Sequence, residues 1–542
     1  MNYKNIKLTL LIKKLLYSIY SKREIKFNYI KTLFIIIKSY PLNSTIIIIS
    51  LIISFYSFWF FLDNKIYLIG SDAFYYMSIA DSILQYGEMK DITAIPSAPV
   101  RTPQNGIVFV HIILSILGFN AKGRILSIVF INYFIYLSGV YPLYKISKWS
   151  GLKNNLSLCS LLGVYLGAWH IYRINLIAYN DGIFNSSVLW LIYLLIAIVH
   201  LDIKQDINFQ PYLNFKKLLP IIFIVMVLIH FRLTVTLVIA SGILCGIILK
   251  NFRLSVLFLT ISFSLITAFF IVYLFVEVNI GAVPLKKRFL SLLFSINIEN
   301  IKFQLWAILP RLIAGISGLT NPIATLFFSI FPLSIMYYGL IGIKNKDFIK
   351  VFIAVVCLTA LWFALYFRNA RVIWYIFPFI YLIILSLKRL KWVGYIFVLV
   401  VFLQSFQQFV IGYSRNPESN LWLYIYEQKI VLPDKPLLSS FRRRHPYFFL
   451  GVRNYLGNEN ANEIRSQIQA PGKFMPKLNL DLINHYGSLF VLGDSTYIDS
   501  TFLQVEKMDS LNEFNVIQKP LTPNLDEFDG WSLVELSVRG IH

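Results

Sequence analysis

From residue 44 onward the chain is a succession of apolar runs separated by short basic or polar stretches. Runs at about 44–62, 125–144, 156–173, 183–201, 218–229, 233–249, 254–276, 323–343, 351–367, 372–387 and 392–412 approach the roughly 20 residues a helix needs to cross a bilayer. They lack the residue-by-residue alternation of outer-membrane barrel strands. The stretch 106–119 is too short for a crossing and predicts a helix lying along the outer surface. Pro310 interrupts 301–319, where Arg311 also sits, so that piece belongs to a long outer loop beginning near Glu277.

Counted this way, eleven spans alternate in direction. The inner loops carry Lys145, Lys148 and Lys153, then Lys204, Lys216 and Lys217, then Lys250 and Arg253, then Lys344, Lys346 and Lys350, and last Lys388, Arg389 and Lys391. Each is basic, as cytoplasmic loops are. Lys26, Lys31 and Lys38 place the N-terminus inside, and the tail from Gly412 falls outside. The expected plan is an all-α polytopic membrane domain of about eleven transmembrane helices with a small C-terminal extracytoplasmic α/β domain. Its parts are a cytoplasmic basic arm at 1–42, a membrane domain at 43–411 whose first outer loop is 63–124, and the tail at 412–542.

Composition narrows the class. Of 542 residues, 57% are hydrophobic and only 14% charged, against roughly a quarter charged in soluble domains. A soluble enzyme is excluded. The net charge of +23 would point to nucleic acid, but the tail from Gly412 holds 13 basic against 15 acidic residues. The excess therefore sits between apolar spans, as a topology signal. Cys159, Cys245 and Cys357 all lie inside apolar runs, so neither a disulfide framework nor a Cys-based metal site follows.

Charges kept near a bilayer without a topological role mark function. Asp72, Arg173, Asp181, Arg232, Glu277 and Arg371 all fall at or near outer ends of spans. Asp72 follows the first span in Gly70-Ser71-Asp72-Ala73-Phe74-Tyr75-Tyr76, either a helix cap with an aromatic belt or a carboxylate acting as general base or metal ligand. Asn180 and Asp181, in Arg173 to Gly182, are oxygen donors that cap the following helix or share a hard cation with Asp72. Arg371 enters an apolar run from outside, snorkelling to lipid or holding a phosphate. His170 and His230 lie near the outer boundary and read as structural.

These residues resemble the GT-C superfamily of polyprenyl-phosphate-dependent glycosyltransferases, and most of all the oligosaccharyltransferase catalytic subunit of the bacterial single-subunit type. Ser71-Asp72-Ala73-Phe74 is similar to the family's first-loop context around its catalytic, metal-binding Asp. Arg173 and Tyr179 match the spacing of the second outer loop, where Asn180 and Gly182 occupy the places of the family's two acids and Asp181 lies between them. Arg371, Tyr375 and Pro378 match the family's Arg-x3-Tyr-x2-Pro. Glu299, ahead of Glu277, is the counterpart of a further catalytic Glu. The family's Trp-Trp-Asp-Tyr-Gly motif has no match in the tail, so the resemblance does not extend to peptide Asn glycosylation. The segment from Asp434 through Arg442-Arg443-Arg444-His445 to Gly451 looks more like the tails of bacterial enzymes acting on lipids or glycans.

The resemblance implies transfer of a sugar from a polyprenyl-(pyro)phosphate donor to a lipid, glycan or protein acceptor at the extracytoplasmic face of a prokaryotic inner membrane. Asp72 would be the base and Asp181 second to it. Arg371, Arg232 and Arg173 would hold the donor phosphate, helped by Lys286, Lys287 and Arg288. Tyr75, Tyr179, Asn180, Tyr375 and Glu299 would support them. If a Mg2+ or Mn2+ ion takes part, Asp72 and Asp181 would ligate it. No nucleic-acid partner follows. The competing classes are a transporter or lipid flippase, for which the short runs around His230 and Arg232 speak, and a GT-C-like protein without activity.

Overall fold

The computed structural model describes residues 41–63, 71–95, 98–99, 105–168, 180–202, 215–232, 234–280, 330–367 and 374–410, and in the tail 424–425, 437–439, 454–455, 488–493, 499, 503, 516–520 and 532–538. The architecture is mostly helical, as the apolar runs predict. In chain order the helices are α1 (Pro41–Asp63), α2 (Ser71–Tyr86), α3 (Asn105–Ile116), α4 (Ala121–Ser138), α5 (Val140–Trp149), α6 (Asn155–Gly167) and α7 (Asn180–Asp202). They continue with α8 (Phe215–Phe231), α9 (Val235–Ile248), α10 (Phe252–Ile280), α11 (Ile330–Lys344), α12 (Phe348–Phe367), α13 (Phe377–Ser386) and α14 (Lys391–Val410).

Each of the eleven apolar runs contains a helix over part or all of its length. Among the described residues, two helical stretches are long and apolar enough to cross a membrane by themselves, 121–149 and 180–200. The run at 125–144 is not one uninterrupted helix: it breaks at Gly139, between α4 and α5. A Cβ there would lie 2.2 Å from the Tyr165 hydroxyl of α6, so the close crossing of α6 forbids a side chain.

Helix ends follow from polar side chains at the turns. Asn120 and Asn154 accept from the amides of Gly123 (2.8 Å) and Ser157 (3.1 Å), starting α4 and α6. Two tight connections share one construction. Lys250 and Lys346 adopt positive φ of 52° and 50°, and the next residues, Asn251 and Asp347, cap α10 and α12 through Leu254 and Ile349. A left-handed residue followed by an Asx cap reverses the chain in three residues. It makes antiparallel hairpins of α9 with α10 and of α11 with α12.

The face pattern of α1 is inverted relative to a soluble helix. Ser50, Ser54 and Ser57 are buried, and Gly163 and Gly167 of α6 approach closely enough that a Cβ would meet Ser50. Ile48, Ile52, Phe55 and Trp59 lie exposed on the other side. Small and hydroxyl residues inward with bulky apolar residues outward is the arrangement of helices packed within lipid.

The segment after α2 contains a two-stranded antiparallel hairpin, β1 (Lys90–Asp91) with β3 (Ala98–Pro99). Asp91 is buried there and accepts from Ser78 Oγ (3.0 Å) and Thr93 Oγ1 (2.6 Å), which ties the loop back onto α2. The tail forms β4 (Leu437–Ser439), β5 (Asn454–Tyr455), β6 (Ser488–Gly493), β7 (Val516–Pro520) and β8 (Ser532–Val538). These join a six-stranded mixed sheet of order β2-β5-β4-β6-β8-β7, in which β2 (Ala94–Ile95) comes from the segment between α2 and α3 and runs parallel to β5. All six residues of β6 are buried, as expected of a central strand covered on both faces.

Candidate functional site

The site is assembled where the first turn of α7 meets the end of α8. A helix N-terminus leaves amides unpaired and carries partial positive charge; a C-terminus leaves carbonyls and partial negative charge. Asp181 stands in the first turn of α7, and Arg232 immediately follows α8. Each ionised side chain therefore suits the helix end it occupies. The two are paired with each other, Arg232 Nη2 to Asp181 Oδ1, with side-chain exposures of 8% and 0%.

Asn180 completes the junction. Its Nδ2 donates to the Phe231 carbonyl (3.0 Å), one of the carbonyls α8 leaves open, and its Oδ1 accepts from Arg232 Nη2 (3.3 Å). One turn along, Asn185 Nδ2 donates to the Asp181 carbonyl (2.8 Å), and Asn185 Oδ1 accepts from the backbone amide of Tyr375 (3.1 Å). The ring of Tyr375 meets Phe184 edge-on, with centroids 6.2 Å apart. Residues 180–185, 232 and 375, far apart along the chain, thus share one buried network. Among the described residues, Arg232 Nε and the Tyr375 hydroxyl are buried within it with no hydrogen-bond partner.

Gly182 has a steric reason. A Cβ there would sit 2.6 Å from Asn132 Cγ of α4, so the place where the resemblance expects an acid is filled by an amide from another helix. Asn132 is fully buried.

Asp72 lies in the first turn of α2 and is partly accessible; Tyr75 lies one turn on, its ring 5.6 Å from that of Tyr76. Packing relates α2 to the junction in two ways. In the first, α2 packs on α3 and α3 on α8, where Gly106 approaches so closely that a Cβ would be 2.7 Å from the ring of Phe231. In the second, Arg124 of α4 binds Asp81 of α2 through two bonds (2.7 and 3.2 Å), while α4 packs on α7 at Gly182. The helices α2, α3, α8, α7 and α4 therefore form a closed ring.

Of the residues expected from sequence, Asn180, Asp181, Arg232 and Tyr375 come together, and Asp72 and Tyr75 sit on a helix of the same ring. Arg173, Tyr179, Glu299 and Arg371 lie outside the described residues, as do His170, Lys286, Lys287 and Arg288. Asp181, expected as a second base or metal ligand, is enclosed and neutralised by Arg232. Arg232, expected to hold the donor phosphate, places Nη2 on Asp181 and Asn180. A divalent ion shared by Asp72 and Asp181 does not fit a carboxylate already committed to a guanidinium. Among the described residues no three His, Cys, Asp or Glu side chains cluster as a metal site.

Asn132, Asn185 and the Phe231 carbonyl were not anticipated. The readable signal was the run Asn180, Asp181, Asn185 and Ser186, four polar residues in the first two turns of an apolar span and all buried.

No protein-family model matches the chain, and no curated protein matches it. Among solved structures it is similar to the archaeal oligosaccharyltransferase AglB from Archaeoglobus fulgidus in complex with an inhibitory peptide and a dolichol-phosphate (TM-score 0.45, 10% identity, 84% of this chain and 70% of that one). It is also similar to the Archaeoglobus fulgidus oligosaccharyltransferase in the apo form (0.45, 12% identity, 83% and 69%). A third is ArnT from Cupriavidus metallidurans bound to undecaprenyl phosphate (0.42, 10% identity, 92% and 98%). None reaches a TM-score of 0.5, and none supplies a residue role to this chain.

Proposed function

We propose that this chain is an integral membrane glycosyltransferase that moves a sugar from a polyprenyl-phosphate or polyprenyl-pyrophosphate donor to a lipid, glycan or protein acceptor on the extracytoplasmic face. The membrane setting is supported by the outward isoleucines and aromatics of α1 over its inward serines, and by basic residues concentrated in alternate loops. The observation that carries the reaction class is the buried Arg232 at the α7–α8 junction, held by Asp181 and Asn180 with its Nε unpaired among the described residues. A buried donor without an acceptor is the exception in folded proteins, and a fixed guanidinium is suited to phosphate oxygens.

In this reading Asp181 positions Arg232 and does not itself touch the acceptor. Arg232 stabilises the charge that develops on the phosphate as the bond to the anomeric carbon breaks. Asp72, the more accessible carboxylate, takes the proton of the acceptor hydroxyl as its oxygen attacks the anomeric carbon from the face opposite the phosphate. A single displacement of this kind inverts the anomeric configuration. Arg371 and Arg173 remain proposed as further phosphate contacts, and Tyr75, Tyr179 and Glu299 as supporting groups.

The test is to incubate the purified chain with radiolabelled polyprenyl-phosphate sugars and membrane lipid extract and to look for labelled product. Transfer with inverted configuration is expected. Donor sugar returned intact across the whole panel would overturn the reading.

A further inference from the structure

At the other end of α7 lies a second organised cluster that sugar transfer does not use. Trp190 is nine residues and His200 nineteen residues beyond Asp181 on the same helix, roughly 14 and 29 Å along its axis. This cluster therefore sits toward the opposite membrane face, beside the inner loop of Lys145, Lys148 and Lys153.

Its rings form a continuous wall between α5 and α7. Tyr141 stacks on Trp190 (centroids 5.7 Å apart, planes 17°), Trp190 meets Tyr193 edge-on (5.8 Å, 89°), Tyr193 stacks on Trp149 (5.4 Å, 6°), and Trp149 reaches His200 (5.3 Å). The wall is fixed in place, since Trp190 Nε1 donates to Ser138 Oγ (2.9 Å). All five rings are half-buried, so each keeps an edge at the surface.

Two ammonium groups sit over rings of α5. Lys145 Nζ is 5.6 Å from the Tyr141 centroid and Lys148 Nζ 6.0 Å from that of Tyr144. Neither lysine has a carboxylate in ion-pair range among the described residues, whereas Lys90, Arg124, Arg232 and Lys350 all have one. Two positive charges lacking a counter-charge among the described residues, beside rings that are apolar on one side and wet at the edge, complement one kind of occupant. That is a phosphate carried on an apolar body at headgroup depth.

We propose that this wall is a binding site for an anionic phospholipid of the inner leaflet, its phosphate held by Lys145 and Lys148 and its glycerol and upper acyl region lying against Trp149 and Tyr193. The proposal rests on the membrane reading above but not on the transfer reaction. A lipid held here would fasten α5 to α7 at the end remote from the Asp181–Arg232 junction.

Native mass spectrometry of the full chain in detergent, titrated with phosphatidylglycerol or with phosphatidylcholine, tests it. Retention of phosphatidylglycerol over phosphatidylcholine is expected. K145Q and K148Q should each weaken phosphatidylglycerol about fivefold, and the double variant about thirtyfold, on the usual contribution of a lysine near an anionic lipid surface. Phosphatidylcholine binding should not change, and inorganic phosphate should not displace the lipid. Equal retention of the two lipids, undiminished phosphatidylglycerol binding in the double variant, or displacement by inorganic phosphate would each overturn the proposal. The membrane reading fails separately, by recovery of the wild-type chain in soluble form without detergent.

Discussion

The Asp181–Arg232 pair sets the energetics of the candidate site. A buried ion pair is weak evidence of net stability, but removing one partner strands the other charge and costs about 3–5 kcal/mol. D181A should therefore lower the thermal midpoint of the purified chain markedly, and the double variant D181A/R232M should recover much of that loss. A double-mutant cycle checks this; equal destabilisation by single and double variants would contradict the pairing. His111 gives the pH dependence. It lies in α3, the helix expected along the membrane surface, where it is fully buried with neither ring nitrogen hydrogen-bonded among the described residues. Burial, with a smaller contribution from the charge of Arg124, lowers its pKa to about 3 from the ordinary 6.5. Between these values the unfolded chain binds a proton that the folded chain refuses, so stability is fully present above about pH 6.5. It falls as pH drops toward 3, by up to about 1.4 kcal/mol per pH unit. Denaturation midpoints across that range should show the slope in the wild type and a flatter line in H111F. Asp181 and Arg232 were legible in the sequence as charges without a topological role. Their pairing was not, because it depends on which helix ends meet.

At the scale of elements, the apolar runs announced the helices, and the polar turn residues announced several of their ends. What they left out depends on neighbours distant in sequence. Position 139 must be glycine because Tyr165 of α6 crosses there, and nothing local to 125–144 encodes that crossing. The β2–β5 pairing was equally hidden, since two-residue strands carry no periodicity to read. That pairing ties the loop after α2 to the tail sheet. Proline cannot donate to a ladder, so I95P should release this edge. Limited proteolysis should then cut the tail of the variant faster than that of the wild type, with the helical core intact. Identical cleavage rates would show that the edge is held by something other than the strand pair.

For the whole molecule, the five-helix ring of α2, α3, α8, α7 and α4 joins Asp72, Asp181 and Arg232 into one structural unit, with Asn185 attaching Tyr375. The sequence marked these residues as charges near expected span ends; their assembly needed the packing of Gly106 on Phe231 and of Gly182 on Asn132. The two separate roles in this unit, a base on α2 and a phosphate holder after α8, have different kinetic signatures. The most direct test is therefore labelled-sugar transfer by D72N and R232Q measured beside the wild type, each over a range of lipid donor. The account predicts that D72N loses transfer by about a hundredfold or more in kcat while still binding donor, and that R232Q weakens apparent donor affinity. Transfer by D72N at the wild-type rate, with the protein folded and in the membrane fraction, would contradict it.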